Sequence, residues 1–297
     1  MIKLTRAHIG IAVLPSFWLG SLFAMVLGFN FNPMTFLCGF LIIFLIYAAA
    51  SYINDYYDFE ADQHNRQFGF SGGSGVLQKY PQLKKATKWS ALGFITFALI
   101  LTVVLSWTTY IPFWSVVFIA VGAFFSWFYS APPIKFSYRG MSEFPHFLAG
   151  IMNTGWGYML LTGTLDISFM VLAIPLSLYL LNIILIFEIP DREADIIGGK
   201  RNIIVKRGRQ ISYLLISLIF WLTTIYYTIL AIIKWYDEFI NFWLIAFLSI
   251  IPSIFATYTY LKKPLEIQQA TKFAIRMAIS IFIIYIIFLI YFIFIQL

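Results

Sequence analysis

Two short acidic stretches carry the residues whose types and spacing can do chemistry. The first reads Asn54, Asp55, Tyr56, Tyr57, Asp58, Phe59, Glu60, Ala61, Asp62; the second reads Glu188, Ile189, Pro190, Asp191, Arg192, Glu193, Ala194, Asp195. On a helix, Asn54, Asp58 and Asp62 stand at i, i+4 and i+8 and form one polar stripe, with Asp55 beside it. Asp191 and Asp195 form a matching i, i+4 pair, and Glu188 lies one turn earlier. Like charges at this spacing destabilise an isolated helix, so a compensating cation is expected. Mg²⁺ suits oxygen ligands and is commonly held by one or two carboxylates plus the phosphates of a substrate. Two such clusters facing each other suggest a metal-bridged diphosphate site. Lys200 and Arg201 follow Asp195 across the Gly198-Gly199 pair, and offer a point charge and a fork for phosphate oxygens. The bland alternative is that the same acids are solvated helix ends.

The elements that must position these residues are membrane helices. The chain has 297 residues, 61% hydrophobic and only 11% charged, with a mean hydropathy of +0.85. A soluble domain carries about 25% charged residues, so this chain lacks the polar surface to cover itself in water. The same composition excludes a disordered chain, and the single cysteine, Cys38, excludes a disulfide scaffold and reads as a small core residue. The net charge of +7 implies no nucleic acid, because the basic residues sit in short segments between apolar runs. A spanning helix needs roughly 20 apolar residues. Nine runs fit, at 9–28, 34–53, 89–107, 112–130, 145–163, 168–188, 211–233, 239–261 and 274–296.

The expected fold is therefore all-α: a polytopic membrane protein with nine transmembrane helices in a single bundle, forming one domain over 1–297. Grouping the N-terminus with loops 54–88, 131–144, 189–210 and 262–273, and Arg276 at the edge of the last run, gathers 19 of the 20 Lys and Arg residues on one side. Only Lys234 falls opposite. The positive-inside rule makes the crowded side, and the N-terminus with it, cytoplasmic. Loops 54–88 and 189–210 are long and hold both acidic stretches, which makes them the expected active-site loops. Pro190 either turns Asp191 and Asp195 toward a cavity or marks where the sixth run stops. His8, His64 and His146 are scattered, and nothing in their spacing indicates a metal site.

At the two acidic stretches the sequence resembles the UbiA superfamily of intramembrane prenyltransferases. That family carries an Asn-x-x-x-Asp-x-x-x-Asp motif after its second helix and an Asp-x-x-x-Asp motif after its sixth, on nine helices; here they stand as Asn54/Asp58/Asp62 and Asp191/Asp195. The resemblance implies Mg²⁺-dependent transfer of an isoprenoid chain from a prenyl diphosphate to an acceptor, usually aromatic. Ser71-Gly72-Gly73-Ser74-Gly75-Val76-Leu77 and Tyr138-Arg139-Gly140-Met141-Ser142-Glu143 look like segments of the 1,4-dihydroxy-2-naphthoate branch of menaquinone synthesis, with Ser142 in place of a glycine. Tyr129-Ser130-Ala131-Pro132-Pro133-Ile134-Lys135 looks equally like the chlorophyll-synthase version.

What the resemblance implies for the site is a metal held by Asn54, Asp58, Asp62, Asp191 and Asp195, and a diphosphate gripped by Lys200 and Arg201, with Asn54 and Arg66 as further contacts. Asp58, Asp191, Lys135 and Arg139 are the residues expected to act on the leaving group. Asp55 and Glu188 rank below them, as ligands, supporting groups or plain helix-end charges. An allylic cation needs shelter from water, and some of the 32 Phe, 18 Tyr and 9 Trp residues are expected to line that cavity. Alternatives on the same fold are 4-hydroxybenzoate or a chlorophyllide-like acceptor, and a terpene cyclase; a secondary transporter is the reading from another class. Against transport, no charge sits mid-run and no inverted repeat is visible. The partners implied are the prenyl diphosphate, the aromatic acceptor and the lipid bilayer, with no nucleic acid. Charges from Lys3 onward and no transit-peptide pattern are compatible with a prokaryotic plasma membrane, an organellar membrane being the alternative, with the site expected to face the cytoplasm.

Overall fold

Backbone polar groups in lipid find partners most readily within their own segment, and the apolar runs satisfy theirs as helices. The computed structural model describes residues 2–64, 71, 73–109 and 111–295. After a 3₁₀ turn at Ile2–Thr5 come α1 (Ala7–Val26), α2 (Pro33–Tyr57), the short α3 (Phe59–Asp62) and α4 (Val76–Lys79), and α5 (Lys84–Thr108). There follow α6 (Ser115–Phe128), the short α7 (Phe136–Arg139), α8 (Glu143–Thr162), α9 (Met170–Ile197), α10 (Ile203–Ile232), α11 (Phe242–Lys262) and α12 (Ile267–Phe294). Among the described residues, six helices are long and apolar enough to cross a membrane: α2, α5, α9, α10, α11 and α12. Helix α6 has only 14 residues. Helix α8 is buried almost without interruption from Met152 to Leu161, so its surface meets protein rather than lipid and need not be uniformly apolar.

Several helices outrun the apolar stretches that mark them in the sequence. Helix α2 continues to Tyr57, α9 passes 188 and ends at Ile197, and α12 starts at Ile267 rather than 274. The stretches expected as loops 54–88 and 189–210 are accordingly helical over much of their described length. Charged residues beyond the hydrocarbon still make i→i−4 bonds: the Asp58 N–H donates to Asn54 O at 2.8 Å and the Asp62 N–H to Asp58 O at 2.8 Å. Pro190 does not end its helix. Arg209 straps the turn around it, donating from Nε to Ile189 O at 3.1 Å and from Nη1 to Glu193 Oε1 at 2.8 Å. Helix α10 is broken at Gly208 (φ 78°, ψ 167°), so its long continuous part begins at Arg209, close to the apolar run at 211.

Helix α9 is the axis of the bundle, packed against α1, α8, α10 and α12, and its most apolar 18-residue window is 72% buried against 22% for that of the peripheral α5. Helices α1 and α8 approach backbone to backbone. A Cβ on Gly20 would lie 2.0 Å from Thr154 O, and one on Gly157 would lie 2.0 Å from Phe17 O, while Ser21 Oγ donates to Gly157 O at 2.9 Å. Small residues at such a crossing let dispersion act where lipid gives no hydrophobic drive. Gly157→Val is expected to force α1 and α8 apart and destabilise the protein by about 1–3 kcal/mol. Gly93→Ala, which meets open space, is expected to be neutral or slightly stabilising. Thermal unfolding of the two variants in detergent, followed by circular dichroism, checks the contrast.

Candidate active site

The C-terminal ends of α2 and α9 bring both acidic stretches to one end of the bundle, around the mouth of a single cavity. Asn54, Asp58, Asp62, Asp191, Asp195 and Lys200 all line it. Close approach of the two stretches depends on Gly198, where a Cβ would lie 2.5 Å from the Ala61 side chain. Below the mouth the walls turn apolar, with Ile43 and Ile46 from α2, Phe118 and Phe125 from α6, Met152 from α8 and Leu180 from α9. At 1.5 Å per helical residue, the lining from Asp58 to Ile43 spans about 22 Å and that from Asp191 to Leu180 about 17 Å. A charged rim thus opens into a deep apolar slot.

Asp58, Asp191 and Asp195 at the rim each have a partner on another element. Lys200 Nζ stands 3.0 Å from Asp58 Oδ2 and 3.3 Å from Asp195 Oδ1, joining the two clusters. Tyr138 Oη donates to Asp58 Oδ1 at 2.9 Å, Ser71 Oγ to Asp191 Oδ1 at 2.6 Å, and Asn202 Nδ2 to Asp195 Oδ2 at 2.8 Å. Asn202 also caps α10, accepting from the Val205 N–H at 2.8 Å, so the start of that helix and the second motif are fixed together. Asp55 does not line the cavity; Arg6, which does, and Ser74 Oγ both bond to it. The glycine-serine segment offers hydroxyls to carboxylates at both ends, Ser71 to Asp191 and Ser74 to Asp55, and the Ser74 N–H also donates to Asp55 Oδ1 at 3.3 Å.

Electrostatics follow from burial among like charges. Burial pushes the Asp62 carboxyl up to about 7, with Asp58 adding to the shift and Lys200 opposing it. Burial alone would lower the Lys200 ammonium, but Asp195, Asp58 and Asp62 outweigh it and hold the group firmly charged. The Tyr138 hydroxyl is raised by burial and by Asp58, so it stays a donor.

These residues fit a divalent cation by donor type. Asn54 Oδ1 is buried without a hydrogen-bond partner, and five oxygen-bearing side chains line the rim. Among the described residues no three acidic, His or Cys side chains already converge as a metal cluster, and Lys200 stands between the two groups instead. Other sequence candidates lie apart. Lys135 Nζ sits 5.0 Å from the centre of the Tyr138 ring, Arg139 Nη2 donates to Pro133 O at 2.8 Å, and Arg201 is exposed; none lines the cavity. Arg66 lies outside the described residues, as does Gly72. Conversely, Arg6, His146 and Asn202 line the cavity unannounced by any motif spacing, and Tyr129, quoted only as the start of a family-like segment, lines it too.

The model of the UbiA prenyltransferase family matches residues 12–282. No curated protein matches the sequence significantly. A solved structure of a UbiA homologue from Archaeoglobus fulgidus superposes with a TM-score of 0.73 at 16% identity, covering 99% of this chain and 98% of that one. The homologue bound to GPP and Mg²⁺ gives 0.67 at 16% identity over 97% and 99%. A structure concerning digeranylgeranylglyceryl phosphate synthase in membranes gives 0.62 at 19% identity over 97% and 96%. At these identities the solved structures speak for the fold. The chain belongs to the UbiA prenyltransferase family and is an integral membrane enzyme.

The raised Asp62 carboxyl has a consequence for stability. A carboxyl that binds its proton more tightly when folded favours the folded state fully below the ordinary carboxylate value, and that contribution is lost as pH rises to about 7. With a chelator present, the wild-type protein is expected to unfold at a lower temperature at pH 8 than at pH 5.5. Asp62→Asn should narrow that difference, and melting curves of both proteins at the two pH values test it.

Proposed function

We propose that the protein transfers a prenyl chain from a prenyl diphosphate to an aromatic acceptor, with 1,4-dihydroxy-2-naphthoate as the preferred acceptor and menaquinone biosynthesis as the setting. The observation that carries the reading is the pair of carboxylate clusters set across the mouth of a deep apolar cavity. The Archaeoglobus homologue structures with DMAPP or GPP and Mg²⁺ support it, since they hold those ligands on the same fold. The acceptor rests on the resemblance of the Ser71–Leu77 and Tyr138–Glu143 segments.

On this reading Asn54, Asp58, Asp62, Asp191 and Asp195 hold Mg²⁺. The bound metal supplies positive charge that stabilises the departing diphosphate. Lys200 exchanges its carboxylate partners for phosphate oxygens, and Tyr138 keeps the Asp58 carboxylate oriented. Arg201, Lys135 and Arg139, outside the cavity, form a basic rim that draws the anionic substrate in, and Arg66 belongs to the same role. The walls from Ile46 to Leu180 receive the chain and exclude water from the allylic carbon, so that the acceptor rather than water captures it. The wider proposal is one domain over 1–297 crossing a prokaryotic plasma membrane nine times, with the N-terminus and the site on the cytoplasmic side.

Purified protein in detergent, a labelled prenyl diphosphate and either 1,4-dihydroxy-2-naphthoate or 4-hydroxybenzoate provide the test. A prenylated naphthol is expected, abolished by chelation and reduced about 10²–10³-fold in rate by Asp58→Ala or Asp191→Ala, the scale of losing one electrostatic stabiliser of a transition state. Product with hydroxybenzoate alone would overturn the acceptor and leave the mechanism. A hydrocarbon formed from the diphosphate alone would mean cyclisation.

A further inference from the structure

Glu188 is a buried carboxyl that the diphosphate site does not use. It lines the cavity from α9, is only 6% exposed, and its Oε2 makes no hydrogen bond of good geometry, although the Ser142 hydroxyl is near enough to act on the carboxyl. A buried polar atom left unpaired is expensive unless a ligand completes it. Glu188 precedes Asp191 by three residues, which sets it about 4.5 Å nearer the apolar end of the slot. A diphosphate gripped at the level of Asp191 and Lys200 therefore brings the first carbons of its chain to the level of Glu188.

The neighbouring lining is aromatic and offers a hydrogen-bond acceptor. Tyr129, just after α6, and His146, in the first turn of α8, face the same cavity with ring centroids 5.1 Å apart, edge to face. His146 Nδ1 lies 2.9 Å from Ser142 O, and a carbonyl only accepts, so Nδ1 carries the proton and Nε2 is left as an acceptor. Of the described cations on the lining, Arg6 is engaged by Asp55 and Lys200 by Asp58 and Asp195. This part of the wall suits a planar ring that donates a hydrogen bond.

We propose that Glu188 is the seat of the acceptor's hydroxyl group: the hydroxyl donates to Oε2, and the ring packs against Tyr129 and His146 beside the reacting carbon of the prenyl chain. The proposal rests on the prenyl-transfer reading and adds what the acceptor must present, a free hydroxyl rather than an ether. The test compares 4-hydroxybenzoate with 4-methoxybenzoate, and 1,4-dihydroxy-2-naphthoate with its dimethyl ether, by tryptophan-fluorescence quenching. The wild-type protein, Glu188→Gln and Glu188→Leu are used, each loaded with Mg²⁺ and a non-hydrolysable prenyl diphosphate analogue. The hydroxylated probes are expected to bind wild type about ten-fold more tightly than the ethers, the effect of one hydrogen bond. The preference should shrink to within about two-fold in Glu188→Leu and be partly kept in Glu188→Gln, with analogue binding unchanged. A preference that persists in Glu188→Leu, or loss of analogue binding in its place, overturns the proposal. If phenols are prenylated with the same KM by wild type and Glu188→Leu, the transfer reading stands and the seat falls. If no hydroxylated aromatic binds wild type while the analogue does, the aromatic-acceptor reading falls and takes the seat with it.

Discussion

The structure depends on keeping a crowd of carboxylates at the end of an apolar bundle. Asp55, Asp58, Asp62, Glu188 and Asp195 are each at least nine-tenths buried. An unpaired ion taken out of water carries a penalty of several kcal/mol, more than any one helix contact returns. The fold answers with partners drawn from elements far apart in the chain: Arg6 for Asp55, Lys200 for Asp58 and Asp195, Ser71 for Asp191. These cross-links tie the start of the chain, the segment after α3 and the α9–α10 connection to one point. The same ties that make the acids tolerable make the site.

That constraint explains features that propensity alone would forbid. Helix α9 carries Pro190 in its last turns, where a missing donor and a ring clash normally end a helix. It nevertheless continues to Ile197, and Arg209, itself buried, reaches from α10 to Ile189 O and Glu193 in the turn around the proline. The straightforward consequence of the continuation is register: Glu188, Asp191 and Asp195 stay on one rising face, so depth in the cavity follows residue number. Gly198 then allows the end of α9 to touch Ala61, which is what brings the second motif within reach of the first.

Much of this was legible in the sequence because it is periodic or compositional. The four-residue spacing of Asn54/Asp58/Asp62 and Asp191/Asp195 marks one face of a helix whatever the surroundings, and each apolar run corresponds to a described helix. What could not be read is what depends on contacts between distant residues. Arg6 looked like one more topology charge, although it is the counter-ion of Asp55, which lies 49 residues away. Tyr138 stood in a recognisable segment with no role, because its hydrogen bond to Asp58 crosses 80 residues. Lys135 and Arg139, by contrast, had the right charge near the right segment, but local geometry turns them onto Tyr138 and Pro133. Helix ends were missed for a related reason: hydropathy reports where lipid stops, whereas backbone hydrogen bonding continues into water.

On the proposed function, Lys200 would give the site two electrostatic states. Its ammonium lies between Asp58 and Asp195 at distances of direct ion pairs, and without it the two clusters would face each other as bare anions. A divalent cation on the proposed ligands would neutralise the same oxygens with twice the charge, so the two cations compete for Asp58 and Asp195. A displaced Lys200 would be a free cation at the rim, on a segment that Gly199, with φ 76° and open space where a Cβ would stand, lets turn. The nearest new anion would be the diphosphate that accompanies the metal. On the proposed function, one lysine therefore stabilises the empty site and helps bind the loaded one. The exchange links metal binding to substrate binding, because each addition releases or uses the charge that the other requires.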